Sequence, residues 1–220
     1  MASGIIHEID AYDRLRDDVF PNERAFAWHE KSFTTSFEFS TSMNSYFACR
    51  IDRGQTQDQR LGEVVKYEKV EITALQMAQA DTGIAWYAWA LVYDTAPVTT
   101  GTPATPLWDE VFGTSDYINN WHGGRDARGR FIVVHHEINF VTGKAIVIPG
   151  RVKKHTIDIS RFHTRWKTSA TTGAPGTIIE GAWYIVSSGS EATGSMLAVD
   201  ARFNLRWTWV PATIPRKTYF

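Results

Sequence analysis

Residues 199–209 read VDARFNLRWTW. Val199, Ala201, Phe203, Leu205, Trp207 and Trp209 alternate with Asp200, Arg202, Asn204, Arg206 and Thr208. A period of two over that length is the mark of a β-strand with one face in a core and the other in water. The same alternation opens near residue 33, where Phe33, Thr35, Phe37, Phe39, Thr41 and Met43 interleave with Thr34, Ser36, Glu38, Ser40 and Ser42. It returns at residues 64–76, with Val70, Ile72 and Ala74 against Glu71 and Thr73, and at residues 130–140, with Ile132, Val134, Ile138 and Phe140 on one side. Residues 84–93 are apolar on both sides, as in a strand covered on both faces.

Strands are expected near residues 33–48, 64–77, 84–94, 130–140, 144–149, 151–159, 178–187 and 196–209. Only residues 7–20 offer a partial helical stripe, ended by Pro21 and Asn22. There is no alternation of strands with helices. Eight strands joined by long, uneven connections fit an all-β, two-sheet jelly roll better than a meander of tight hairpins. The longest connection, residues 95–129, holds TAPVTTGTPATP and WHGGRDARG. A loop of that length in a compact domain is usually functional or makes contacts. The division expected is an acidic N-terminal extension, residues 1–30, and one jelly-roll domain, residues 31–220. At 220 residues and 43% hydrophobic content, one sizeable core is within reach.

Composition narrows the function classes. The single cysteine, Cys49, excludes an intrachain disulfide scaffold. No basic n-region with an apolar stretch opens the chain, so no signal peptide is expected. The longest apolar run is about half of the ~20 residues a membrane helix needs, and no membrane partner is expected. Nine Trp in a chain with 21% charged residues suit either an aromatic core or surfaces for subunit contact. The formal net charge of -1 hides an uneven distribution. Residues 1–30 are acidic on balance, whereas residues 125–167 carry ten Lys and Arg, from Arg125 to Lys167, against Asp126, Glu137 and Asp158.

Two segments could carry chemistry. In RVKKHTIDISRFHTRWK, residues 151–167, an ideal strand puts Arg151, Lys153, His155, Arg161, His163, Arg165 and Lys167 on one face, with a change of parity near Ser160. Cations at every second residue, about 6–7 Å apart, can follow a phosphate backbone. Phe162 and Trp166 could stack on bases. A solvated strand face, or pairing with acids of a neighbouring subunit, accounts for the same pattern. In GRFIVVHHE, residues 129–137, the opening Gly and His135 match the start of the cupin metal motif, but the second histidine is His136. Neighbouring strand residues point to opposite faces, so those two cannot chelate one ion. His135 and Glu137 share a face, and His155 or His163 could add a third ligand. His136 is otherwise expected as a hydrogen-bonded core histidine. No P-loop, paired-cysteine zinc spacing or triad context is present.

The succession of short motifs has a further meaning. Arg53-Gly54 leads to Arg60-Leu61-Gly62 and VVKYEKVE, and an apolar strand then ends in Val92-Tyr93-Asp94. WDEVFG, RFIVVHHE, the basic strand, AWYIVSS and an aromatic strand bearing Arg202 and Arg206 follow. Over roughly residues 50–210 this order resembles capsid proteins of small circular single-stranded DNA viruses, of the geminivirus and circovirus kind. The resemblance implies an eight-stranded jelly roll that self-assembles with copies of itself into a small icosahedral shell around single-stranded DNA. It implies a basic inner face, carried here by Arg151, Lys153, Lys154, Arg161, Arg165 and Lys167 with Arg125, Arg128 and Arg130. It also puts residues 95–106 and 114–128 at subunit contacts or on the outer surface, and the protein in the virion and, during assembly, the host nucleus. Capsid proteins of that kind usually begin with an arginine-rich arm, whereas residues 1–30 here are acidic, which suits a clamp on a neighbouring subunit better than DNA contact. No catalytic residue, metal or cofactor is expected on this reading. The alternatives are a capsid protein of a small RNA or satellite virus, and a metal-dependent cupin-like enzyme or sugar-binding jelly roll using His135 and Glu137.

Overall fold

The computed structural model describes residues 29–78, 84–97, 105–113, 129–142, 151–190 and 199–211. The expected N-terminal helix, the expected strand at 144–149, and most of the long 95–129 connection lie outside these residues. So do Arg125 and Arg128.

Among the described residues, ten strand segments form two antiparallel sheets. They are β1 (His29–Phe39), β2 (Asn44–Phe47), β3 (Val64–Ala78), β4 (Ile84–Asp94), β5 (Phe131–Thr142), β6 (Arg151–Asp158), β7 (His163–Trp166), β8 (Ile178–Glu180), β9 (Ala182–Gly189) and β10 (Val199–Pro211). One sheet runs β1-β10-β3-β7-β8, with β6 also paired to β3, and the other runs β2-β9-β4-β5. Early strands pair with late ones in a nested way: β1 and β3 flank β10, while β2 and β4 flank β9. This is a hairpin rolled into two facing sheets, the expected jelly roll.

Seven of the eight expected strands fall on the described residues, which hold ten, for three local reasons. The single strand expected over residues 33–48 is two strands in different sheets. The chain turns at residues 40–43, where the Met43 amide donates to the Ser40 carbonyl at 3.2 Å and Met43 takes φ 51. The strand expected over 178–187 is likewise split at Gly181, which has φ 74. A Cβ there would lie 2.2 Å from the His163 carbonyl oxygen and 2.3 Å from Tyr93 Oη, so only glycine fits this crossing between sheets. Finally, β6 and β7 both lie along β3, β6 against residues 69–76 and β7 against residues 64–66, as one interrupted strand. One short helix was not expected: α1 (Trp108–Phe112) buries Trp108 and Val111 and closes on Gly113 at φ 81.

The core forms where the alternating faces meet. From β10, Ala201, Phe203, Leu205, Trp207 and Trp209 are buried, and Arg202, Asn204 and Arg206 are exposed. β4 is buried on both faces from Tyr87 to Asp94. Tyr67, Trp183 and Trp207 pack with ring centroids 5.1–5.7 Å apart, and Trp89 meets Phe203 edge-on at 5.1 Å. Each such ring removes about 150–250 Å² from water, roughly 4–6 kcal/mol before entropy costs.

Candidate functional site

The basic segment does not present one continuous face. Ile159 and Phe162 are both buried, with the Phe162 amide donating to the Ile159 carbonyl at 2.9 Å across Ser160 and Arg161. That turn reverses the parity, as expected near Ser160. In β6, Lys153, His155 and Ile157 point between the sheets, and Val152, Lys154, Thr156 and Asp158 are exposed. In β7, Thr164 and Trp166 are buried and Arg165 is exposed.

The expected cations therefore separate. Lys154, Arg161 and Arg165 lie exposed, Arg161 with its guanidinium 4.9 Å over the Phe162 ring. Lys167 is half-buried and donates to the Gly176 carbonyl at 2.9 Å. Lys153 is turned into the sandwich, where its ammonium binds Glu137 and donates to Asn139 Oδ1 at 2.5 Å. Arg130 is committed to the buried Asp94. Arg151 opens β6 opposite Gln76. Phe162 and Trp166, the expected base-stacking rings, are buried at 5% and 0% exposure, which removes them from contact with any strand on the surface.

The solvent face of the six-stranded sheet supplies cations outside that segment. Directly opposite strand residues share a face. Registers therefore line up Ser36, Arg202, Leu75 and Val152 in one row and Thr34, Asn204, Thr73 and Lys154 in the next. The row after that is Ser32, Arg206, Glu71 and Thr156. Arg165 stands opposite Val64, and Lys66 is exposed two residues along β3. Arg206 bonds to Glu30 at 2.5 Å and approaches Glu71 at 3.6 Å, so its charge is partly spent within the sheet. Arg202 and Lys154 make no ion pair among the described residues. Arg202 and Arg206 were readable as the polar half of the β10 alternation. Their place beside Lys154 depends on strand order, which one sequence does not display.

The second segment also differs from expectation. Between Leu91 and Val92 the β4–β5 register shifts, leaving Val134 as an extra residue in β5. A bulge of this kind flips strand parity. Beyond it, His135, Glu137 and Asn139 face the interior, whereas His136 is exposed and Phe140 is 60% exposed. The expected core role of His136 is thereby overturned.

Across the sandwich, β6 offers Lys153 and His155 to this polar face. Glu137 Oε2 accepts from Trp89 Nε1 at 3.1 Å and lies 3.4 Å from His155 Nε2. The His135 and His155 rings have centroids 4.5 Å apart. Burial, and then the neighbouring His155 and His136, push the His135 pKa down to about 4. Burial and then Lys153 lower that of His155. Both imidazoles are thus neutral at pH 7. One ligand atom from each of His135, Glu137 and His155 lies within 4.8 Å of the other two. His163, the other expected third ligand, is away from them, 3.2 Å from Glu180.

A comparison with curated proteins finds no match. Among solved structures, 84% of the chain aligns with 90% of a chain from the disulfide-linked pili of Bacillus endospore appendages, at 7% identity and a TM-score of 0.29. It also aligns over 87% of its length with 34% of a chain of the infectious bursal disease virus VP2 subviral particle, at 9% identity and a TM-score of 0.30. Neither likeness is close enough to carry an argument. The sequence itself does: the profile of one family runs through nearly every described strand, from residue 14 to residue 206. The chain belongs to the geminivirus coat protein/nuclear export factor BR1 family.

Proposed function

We propose that this chain is a viral coat protein that self-assembles into a small icosahedral shell enclosing single-stranded DNA. The family match over residues 14–206 carries the reading, and the two-sheet jelly roll agrees with it. The role is structural. Assembly draws on apolar and aromatic contacts repeated around symmetry axes, and cations at the inner wall offset phosphate repulsion. The solvent face of the six-stranded sheet suits that wall. It carries Lys66, Lys154, Arg165 and Arg202, with Arg161 in the adjoining turn. Arg125, Arg128 and Arg151 belong to the same proposal through the sequence. Lys153 and Arg130 are reassigned to holding the sandwich together. The protein's place is the virion, with assembly in the host nucleus.

The test is electron microscopy of the purified, concentrated chain, followed by extraction and nuclease typing of any enclosed nucleic acid. Uniform spherical particles containing DNA are the expected result. Particles containing RNA move the protein to an RNA or satellite virus. A chain that binds DNA but stays monomeric across concentration, pH and salt defeats the coat reading and favours the export-factor branch of the family.

A further inference from the structure

On one side of the sandwich the two sheets end in strands that face each other. β5 is the last strand of the four-stranded sheet, and β6 lies on the far side of β3 in the other. An interior seam between two sheets is normally apolar, yet here the facing residues are His135, Glu137, Asn139, Lys153 and His155. The Lys153–Glu137 pair accounts for two of them without any help from histidine. It leaves two adjoining imidazoles, whose buried Nε2 atoms have no hydrogen-bond partner among the described residues. Buried polar atoms without partners are uncommon, and a bound ion is one of the ways in which they are satisfied.

The distances suit a metal ion. Two donors bound to one zinc at about 2.0–2.1 Å, at tetrahedral angles, stand about 3.3–3.4 Å apart. His155 Nε2 and Glu137 Oε2 are 3.4 Å apart. His135 brings the third donor within 4.8 Å of both. The carboxylate is already oriented by Trp89 Nε1 on Oε2 and by Asn139 Nδ2 on Oε1 at 3.0 Å, as outer partners hold the ligands of metal sites. Two imidazoles and one carboxylate favour zinc, cobalt, nickel or copper over magnesium or calcium. We propose that His135, Glu137 and His155 form a binding site for one divalent transition-metal ion of the zinc class, which stitches β5 to β6 along this edge. Lys153 is its competitor, since its ammonium holds the same carboxylate. The site stands apart from the coat reading and can be tested whether or not particles form.

The experiment uses the full chain, stripped with chelator and titrated with zinc by calorimetry and with cobalt by visible absorption. One zinc per chain is expected, with cobalt bands of a four- or five-coordinate site and no heat from magnesium. His135→Ala and His155→Ala should each weaken zinc binding by more than the ~10–100-fold that losing an outer partner costs. His136→Ala, on the exposed side of the same strand, should bind as the parent does. Lys153→Met should bind more tightly. Zinc should raise the melting temperature of the parent and of His136→Ala but not of His135→Ala. If the alanine variants do not fold, the cobalt spectrum of the parent and of His136→Ala decides alone. Absent cobalt bands, zinc binding that survives in His135→Ala/His155→Ala, or binding lost in His136→Ala, would overturn the site.

Discussion

Arg130 grips Asp94 through two parallel hydrogen bonds, Nε to Oδ1 at 2.9 Å and Nη2 to Oδ2 at 2.7 Å. Asp94 ends β4 with no exposed surface, and Arg130 precedes β5 with its guanidinium 4.6 Å over the Phe131 ring. The bond to Asp94 raises the pKa of Arg130, so the guanidinium stays charged at any ordinary pH. The backbone seals the same corner, because the Thr95 amide and hydroxyl both donate to the Arg130 carbonyl at 2.9 Å.

Arg130→Ala strands the buried Asp94 carboxylate and should cost about 3–5 kcal/mol in urea unfolding. Asp94→Ala leaves the partly exposed Arg130 in reach of water and should cost less. The double variant should cost less than the sum. If Arg130→Ala leaves stability intact and lowers nucleic-acid content instead, Arg130 belongs to the interface after all.

Arg60 makes a similar case without a carboxylate. Its guanidinium donates to the carbonyls of Ile51 at 3.2 Å, Gly62 at 2.6 Å and Ala170 at 2.6 Å, and lies 4.6 Å over the Trp166 ring. Charged hydrogen bonds contribute about 1.5–3 kcal/mol each. Arg60→Ala should therefore lose at least ~3 kcal/mol. Arg60→Lys should recover little of it, since an ammonium cannot reproduce the planar fork. A lysine variant as stable as the parent would show that only the charge counts.

How far the sequence could be read depended on whether one strand held all the information. From Ala201 to Trp207 the β10 alternation runs without a break and the buried residues are the ones its pattern selects, while Thr208, on the polar side, is buried as well. β4, apolar throughout, lies inside as expected. β5 misled because one extra residue at Val134 exchanges its faces midway, and nothing in FIVVHHEINF marks the bulge. Lys153 of β6 misled for another reason. A lysine at a strand position facing inward looks like a solvated one until Glu137, sixteen residues earlier, is brought opposite it. Sheet changes at Met43 and Gly181 were hidden in the same way, as each reads as an ordinary residue within a continuous strand.

The exposed cations lead to a test of DNA contact. Lys154, Arg161 and Arg165 protrude into solvent, and none of them forms an ion pair among the described residues. Changing all three to Ala should leave the unfolding midpoint nearly unchanged. Each lost contact with a single strand should reduce the slope of log K against log salt by about 0.7, roughly 2 for the set. Fluorescence titrations of a labelled oligonucleotide at several salt concentrations measure this. An unchanged slope would remove these three residues from the phosphate-contacting set.

The core also fixes how the protein responds to alkali. Cys49 Sγ lies 3.3 Å from Tyr67 Oη, which is 2.7 Å from Thr164 Oγ1. Burial pushes the Cys49 thiol up to about 12 and the Tyr67 phenol well above 10. Tyr93 and Tyr184, also by burial, are raised to about 12. In each case the folded protein keeps a proton that the unfolded chain releases, for Cys49 from about pH 9 and for the tyrosines from about pH 10. Where the native state binds more protons, stability falls as pH rises, by about 1.4 kcal/mol per pH unit for each such group. The urea midpoint should hold steady up to pH 8 and then decline between pH 9 and 11, more steeply above 10 as the tyrosines join. Cys49→Ala should flatten the first part of that decline only. At pH 8 the native thiol should resist a thiol-specific reagent and react once urea unfolds the chain. Rapid labelling of the folded protein would show that the Cys49–Tyr67 pocket admits solvent.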